Sequence, residues 1–358
     1  MRSTPLIASH RRLGARLTGF AGWEMPLSYA GTSVEHKAVR GGAGVFDLCH
    51  MGRLALRGEG ARALLETVTP SDIAGLAVGQ ARYTVLLDEH GGMVDDVIVT
   101  RWADHYHLCV NAANHPAALA HLAPHAARLG ATVDDLSAAT GQIAVQGPAS
   151  AALIRPLLAG PFPAFMHAAP GAFEGTAITV SRTGYTGELG VELFVPAAIL
   201  APLWERLVAQ APPIGLGARD TLRLEVGYPL YGHELSRQVT PVEAGLHWVV
   251  DWGRAGFLGH SVLIERRARR DTALCGFTLD GPGVPRDGCA VLHGGHEVGR
   301  VTSGNMGLSV GHGVGMAYLP AALTAPGTAI AIDVRGRHLP ATVARPPFYR
   351  HGSVKARV

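Results

Sequence analysis

The stretch Gly91-Gly92-Met93-Val94-Asp95-Asp96-Val97-Ile98-Val99 sets two adjacent carboxylates inside an otherwise apolar strand. The glycine pair follows Leu86-Leu87-Asp88-Glu89-His90 and reads as a β-hairpin turn. Side chains alternate along a strand, so Asp95 and Asp96 point to opposite faces. An unpartnered carboxylate among apolar neighbours is costly, so at least one of the two is partnered or chemically used. Spacing alone leaves two readings open: one solvated Asp with the other bonded to a turn amide, or a carboxylate set in a site. Farther along, Glu192 follows a loop carrying Tyr185, and Arg219-Asp220 opens a helix after Gly215-Leu216-Gly217. A carboxylate matches the paired N–H donors of a guanidine-like heterocycle edge. An arginine can donate to a ring oxygen, and a tyrosine offers a face to pack on. Each has a plainer reading as a Glu–Arg ion pair, a capping Asp or a core Tyr. Together with a buried Asp they suit a pocket for a polar aromatic ligand.

The elements that must hold these residues follow from periodicity. Apolar positions at helical spacing predict a helix over 5–17, and Thr32-Ser33 can cap another running to Arg40. From Arg53 the order reads strand 53–56, helix 60–68, strands 81–87, 94–102 and 106–111, helix 116–129 and strand 131–134. Strands divided by two similar helices predict an α+β unit of the ferredoxin-like kind, with the Asp pair in its middle hairpin. A strand over 143–145 is followed by a predicted helix over 148–158, alternating residues over 176–195, and helices over 197–210 and 217–226. After the run Ile264-Glu265-Arg266-Arg267-Ala268-Arg269-Arg270, short strands punctuated by Gly and Pro predict a small β-barrel or sandwich.

Composition narrows the function. At 358 residues, 47% hydrophobic and 16% charged, the chain is long enough for two or three domains with cores. The apolar run from Leu193 to Trp204 is too short to span a bilayer and is interrupted by Pro196 and Pro202, and no apolar signal core follows the N-terminus. A cytoplasmic location with no membrane association is expected. The net charge of +3 is too mild for a nucleic-acid binder, and the arginine run has no interleaved aromatics. Cys49, Cys109, Cys275 and Cys289 lie far apart without a C-x-x-C pair, which reads as isolated buried thiols. The 18 histidines include the pairs His105/His107, His121/His125 and His293/His296, but none sits among ligands in a zinc-site order, so no metal is expected. The segment Gly184–Gly190 lacks the spacing of a phosphate loop, and no nucleophile elbow is present.

The blocks Phe20-Ala21-Gly22-Trp23-Glu24-Met25-Pro26-Leu27, Gly44-Val45-Phe46-Asp47, His50-Met51, Gly91 to Asp96, Gln146-Gly147-Pro148, Thr183 to Glu188 and Gly215 to Asp220 resemble the T-protein family of the glycine cleavage system. Leu222-Arg223-Leu224-Glu225, Leu230-Tyr231-Gly232, Thr302-Ser303-Gly304 and Arg345-Pro346-Pro347-Phe348-Tyr349 extend the resemblance over essentially the whole chain. It implies a three-domain cloverleaf around a central folate channel: residues 1–50 with 138–260 as the folate-binding domain, 51–137 as the ferredoxin-like domain, and 271–358 as a C-terminal β-barrel. It implies an aminomethyltransferase that moves the aminomethyl carbon from the lipoyl arm of the H-protein to tetrahydrofolate, releasing ammonia and forming 5,10-methylenetetrahydrofolate. By this resemblance Asp96 is the catalytic base. Glu192 and Arg219 hold the pterin, and Tyr83, Asn111 and Tyr185 line the channel. Relatives that demethylate other donors, or bind folate without catalysis, are the alternatives; the Lys-Gly-Cys-Tyr-type motif of the non-catalytic group is absent. Cys49 stands where the family usually has Ser, and the stretches Ser236-Arg237-Gln238 and Asn305 to His312 depart from its pattern.

Overall fold

A computed structural model describes residues 1–356. The chain opens with β1 (Arg2–Ser3), α1 (Ile7–Arg12), β2 (Arg16–Phe20), β3 (Trp23–Ser28), α2 (Thr32–Gly41) and β4 (Gly44–Asp47). The helix predicted over 5–17 is shorter than its spacing suggests. Gly14 adopts a left-handed conformation that ends it, and the chain then extends into β2.

The next unit runs β5 (Gly52–Arg57), α3 (Ala61–Val68), β6 (Ala81–Leu87), β7 (Met93–Arg101), β8 (His105–Val110), α4 (His115–Leu129) and β9 (Thr132–Asp135). Its antiparallel sheet is ordered β6-β7-β8-β5-β9, a ferredoxin-like arrangement with β6 added at one edge. One face packs on α3 and α4 through Leu54, Leu64, Leu86, Val97 and Leu122. The other face of the β6–β7 hairpin is covered by the segment after residue 234, where Leu235, Val242 and Leu263 meet Val85, Leu87 and Met93.

The following unit repeats the topology. It runs β10 (Thr140–Gln146), α5 (Ser150–Ile154), β11 (Ala168–Phe173), β12 (Thr176–Ser181), β13 (Gly190–Pro196) and α6 (Ala197–Val208). Its sheet order, β11-β12-β13-β10-β4, matches the first strand for strand, with β4 from earlier in the chain in the place of β9. The helix predicted over 148–158 spans only five residues, since Pro156 has no N–H to continue the ladder. Trp204 is fully buried beneath this sheet. The two sheets meet at β8 and β13, where the His107 and Phe194 rings lie 4.7 Å apart, edge to face.

Helices α7 (Leu216–Glu225) and α8 (His260–Ala268) follow. A closed six-stranded barrel then forms from β14 (Thr272–Leu279), β15 (Ala290–His293), β16 (His296–Gly307), β17 (His312–Pro320), β18 (Ala329–Val334) and β19 (Arg337–Ala344). The predicted barrel is therefore present and closes around Phe277, Val291, Leu319 and Ile332. The arginine run ends α8 on an exposed face, with Arg266 3.6 Å from Glu243.

One close approach ties the altered stretch 236–238 to the Asp hairpin. The Met93 N–H donates to the Ser236 carbonyl, and a Cβ on Gly92 would lie 2.0 Å from the Arg237 carbonyl oxygen. The atoms it would meet, the carbonyl oxygen, carbonyl carbon and Cα of Arg237, are all backbone and cannot swing aside. Gly92→Ala is expected to destabilise the protein by about 1–3 kcal/mol, read as a lower urea midpoint. An unchanged midpoint would mean that the 236–238 cover moves freely.

Candidate active site

The register of the hairpin decides which way each carboxylate faces. Val85 pairs with Asp96 and Leu86 with Asp95, and Val94 is the extra residue of a bulge before Leu87 meets Met93. Asp95 thus shares the helix-covered face with Leu86, while Asp96 shares the opposite face with Val85. The expected alternation holds. The reading with one solvated Asp does not: Asp95 is fully buried and Asp96 half-buried, and both are partnered.

Asn111, one residue past β8, joins them. Its Nδ2 donates to Asp95 Oδ1 at 2.8 Å and to Asp96 Oδ1 at 2.7 Å, and its backbone N–H donates to Asp95 Oδ2 at 2.9 Å. Asn114, which precedes α4, adds a bond to Asp95 Oδ1 at 2.6 Å. Asp95, on β7, is thereby tied by three donor contacts to the turn that leads into α4. Asp96 has one further partner, the Tyr83 hydroxyl at 3.1 Å. Burial pushes both carboxyls up, Asp96 to about 6 and Asp95 to about 8. The Asp96 charge raises Asp95 further, whereas the hydrogen bonds from Tyr83 and Asn111 pull Asp96 back. The two carboxyls titrate as one unit that holds a proton above the usual carboxylate range.

This has a stability consequence with a definite sign. Both folded values exceed the unfolded carboxylate value near 4, so the folded state holds extra protons and the pair's contribution fades as pH rises towards 8. His50 and His107 are buried and neutral, lowered by burial to about 4 and about 3, and act in the opposite sense below about pH 6.5. Between about pH 6.5 and about pH 8.5 the melting temperature is expected to fall, with a shallower slope in Asp95→Asn. Equal slopes in thermal melts of the two proteins would contradict the assignment.

The second cluster lies across the sheet interface. Glu192 sits on β13, buried, and accepts a hydrogen bond from the Thr183 hydroxyl. Burial raises its carboxyl, opposed by Thr183, the Arg219 charge and the Gln142 amide. Arg219, in the first turn of α7, stacks its guanidinium 4.7 Å over the Tyr185 ring. Among the described residues the Arg219 guanidinium makes no hydrogen bond and no ion pair within 4.0 Å, its backbone N–H alone bonding the Gly215 carbonyl, so the plain Glu–Arg ion-pair reading fails. Asp220 is no cap either; it lies within α7 and pairs with Arg223 at 2.8 Å. The Tyr185 hydroxyl donates to the Pro229 carbonyl and its ring stacks on Tyr228 at 5.8 Å.

The clusters form one site around Tyr185, whose hydroxyl, raised first by burial, feels both the Asp96 and Arg219 charges. All six residues singled out in the sequence gather here. The sequence pointed to none of the supporting groups: Asn114 and Thr183 behind the carboxylates, Gln142 beside Glu192, and Trp248. The last is 63% exposed and stacks on Tyr83 at 5.6 Å between centroids, forming a lip at the Asp96 end. Unused polar atoms lie in the same region: the Arg219 guanidinium, the Gln142 Nε2 beside Glu192 and the buried Nδ1 of His50, which feels the Arg219 charge, none with a hydrogen-bond partner among the described residues. A site with an unpaired guanidinium, a buried carboxylate and aromatic walls fits a flat ring carrying both donors and acceptors.

The chain matches known proteins along its length. Residues 6–254 match the GCVT N-terminal domain, and residues 273–350 the Glycine cleavage T-protein C-terminal barrel domain. It is 45% identical to an aminomethyltransferase of Streptomyces avermitilis, covering 98% of each chain. It is 44% identical to that of Rubrobacter xylanophilus, covering 98% of this chain and 95% of the other. The crystal structure of glycine cleavage system aminomethyltransferase T from Bartonella henselae superposes with a TM-score of 0.94 at 34% identity, covering 98% of this chain and 99% of that one.

Proposed function

The chain belongs to the glycine cleavage T-protein family and is an aminomethyltransferase; from that premise we propose that its acceptor is tetrahydrofolate, held by Glu192 and Arg219, and its donor the aminomethyl group on the lipoyl arm of the H-protein. The observation that carries this reading is the Arg219 guanidinium, unpaired among the described residues, beside a buried Glu192, with the Asp96 charge felt at the Tyr185 ring on which Arg219 stacks. Tetrahydrofolate supplies the two amine nitrogens between which the transferred carbon ends. Ammonia leaves the donor carbon, and the lipoyl sulfur is released as a thiol.

The residues divide this work. Glu192 accepts from the ring's amine-bearing edge and Arg219 donates to its oxygen, fixing one end in register. Tyr185, held by its bond to the Pro229 carbonyl, supplies a wall, and Tyr83 with Trp248 forms the opposite aromatic face. Asp96 takes the proton that an attacking nitrogen must lose and stabilises positive charge developing at the carbon. Tyr83 and Asn111 aim its carboxylate, while Asp95 anchors Asn111 from behind. Because burial holds a proton on the Asp95–Asp96 pair above the usual carboxylate range, the transfer rate rises with pH as that proton is lost.

The donor is tested by offering the protein aminomethylated H-protein in parallel with methoxylated and methylthio compounds. Transfer from the H-protein alone supports the reading; transfer only from the other donors would make the chain a folate-dependent demethylase.

A further inference from the structure

Gln142 is fully buried on β10 beside Glu192 and has no part in the division of work given above. Gln142 pairs with Phe194 and Ala144 with Glu192, so Gln142 and Glu192 are diagonal neighbours on one face of the sheet. Two thiols clamp it. Cys49 Sγ lies 3.5 Å from its carbonyl oxygen and 3.4 Å from its backbone nitrogen, and the Cys109 thiol, from the other sheet, donates to its Oε1 at 3.4 Å. Burial pushes both thiols up, so they stay protonated and Cys109 remains a donor. With Oε1 taken by Cys109, Nε2 is left as a buried donor with no partner within hydrogen-bond distance among the described residues. A buried, unsatisfied amide is costly unless something uses it. Its neighbour on this face is the Glu192 carboxylate.

We infer that Gln142, clamped by Cys109, is a positioning residue that keeps the Glu192 carboxylate ionised and turned toward the bound ring. The inference rests on the folate reading of this site and deepens it. An ionised carboxylate accepts two N–H bonds from a ring edge, whereas a protonated one offers a competing O–H. The positive end of the amide lies on the same face as the carboxylate and favours its ionised form, alongside the bond from the Thr183 hydroxyl. Other groups around Glu192 are Arg219 on α7, which the buried His50 also feels, and Cys109 on β8; the Asp95–Asp96 pair on β7 titrates elsewhere in the same site. None of these carboxyls or cations touches Gln142, so their titration is shared by the wild type and a Gln142 variant.

The test is calorimetric binding of 5-formyltetrahydrofolate to the full chain from about pH 5 to about pH 8.5. In Gln142→Leu the acid limb, where affinity is lost, is expected to move upward by about one pH unit. Cys109→Ala, which frees the amide without altering it, is expected to move the limb part of the way. Cys109→Ser, which keeps a donor to Oε1, is expected to restore it. A purely structural role would lower the melting temperature and leave the limb in place. Wild-type binding with an unmoved limb in both Gln142→Leu and Cys109→Ala would overturn this inference alone. No binding by the wild type at any pH would overturn the folate reading and this inference with it. If Gln142→Leu does not fold, the Cys109 pair decides the outcome.

Discussion

Asp96→Asn is expected to slow aminomethyl transfer by about 10²–10⁴-fold while leaving folate affinity nearly unchanged. The amide keeps the shape of the side chain but cannot take a proton. It also forces a choice at Asn111, whose Nδ2 now donates to Asp96 Oδ1 and Asp95 Oδ1. The Tyr83 hydroxyl keeps an acceptor if the new amide oxygen takes the position of Oδ2. The ring-holding residues Glu192 and Arg219 lie on β13 and α7, outside the hairpin, so binding is spared. The rise in rate as the pair loses its proton should vanish in this variant, since the accepting carboxylate has been removed. A rate within a few-fold of wild type would place the proton acceptor elsewhere.

Arg219→Met should act on the other parameter. Its guanidinium has no protein partner among the described residues, so its donors are available to a ligand. Removing it takes away a charge-assisted bond, which lowers folate affinity by about 10–100-fold. Glu192→Ala should do the same from the other edge and should not rescue Arg219→Met. In both, turnover at saturating folate should fall much less than affinity. If turnover fell and affinity did not, Arg219 would belong to the chemistry and not to the holding of the ring.

How much of this could be read beforehand differs between the two sheets. In the first, strand 81–87 lies where its apolar run ends, and the hairpin turn is announced by Gly91-Gly92. In the second, β11 escaped notice because Pro170 and Gly171 interrupt it and no alternation survives. The repeat of topology is equally silent in the sequence. α5 has only five residues where α3 has eight, and the last strand of the second sheet, β4, comes from far earlier in the chain.

The site follows the same division. Asp95 and Asp96 were conspicuous because charge inside an apolar strand is unusual. Family motifs carried Glu192, Arg219 and Tyr185, but their spacing could not distinguish an ion pair from a ligand site. That distinction needed coordinates: Arg219 stacks on Tyr185 and leaves Glu192 to Thr183. Trp248, Asn114 and Gln142 act through contacts between segments far apart in sequence, such as Tyr83 with Trp248 and Cys109 with Gln142. No local pattern encodes such pairings.

The most direct measurement is ammonia release from aminomethylated H-protein by the purified chain, with and without tetrahydrofolate. The account predicts release at least about 100-fold faster with tetrahydrofolate, because the Asp96 base has a nitrogen to deprotonate only when the acceptor is bound. Release at the same rate without it would contradict the assignment of this site.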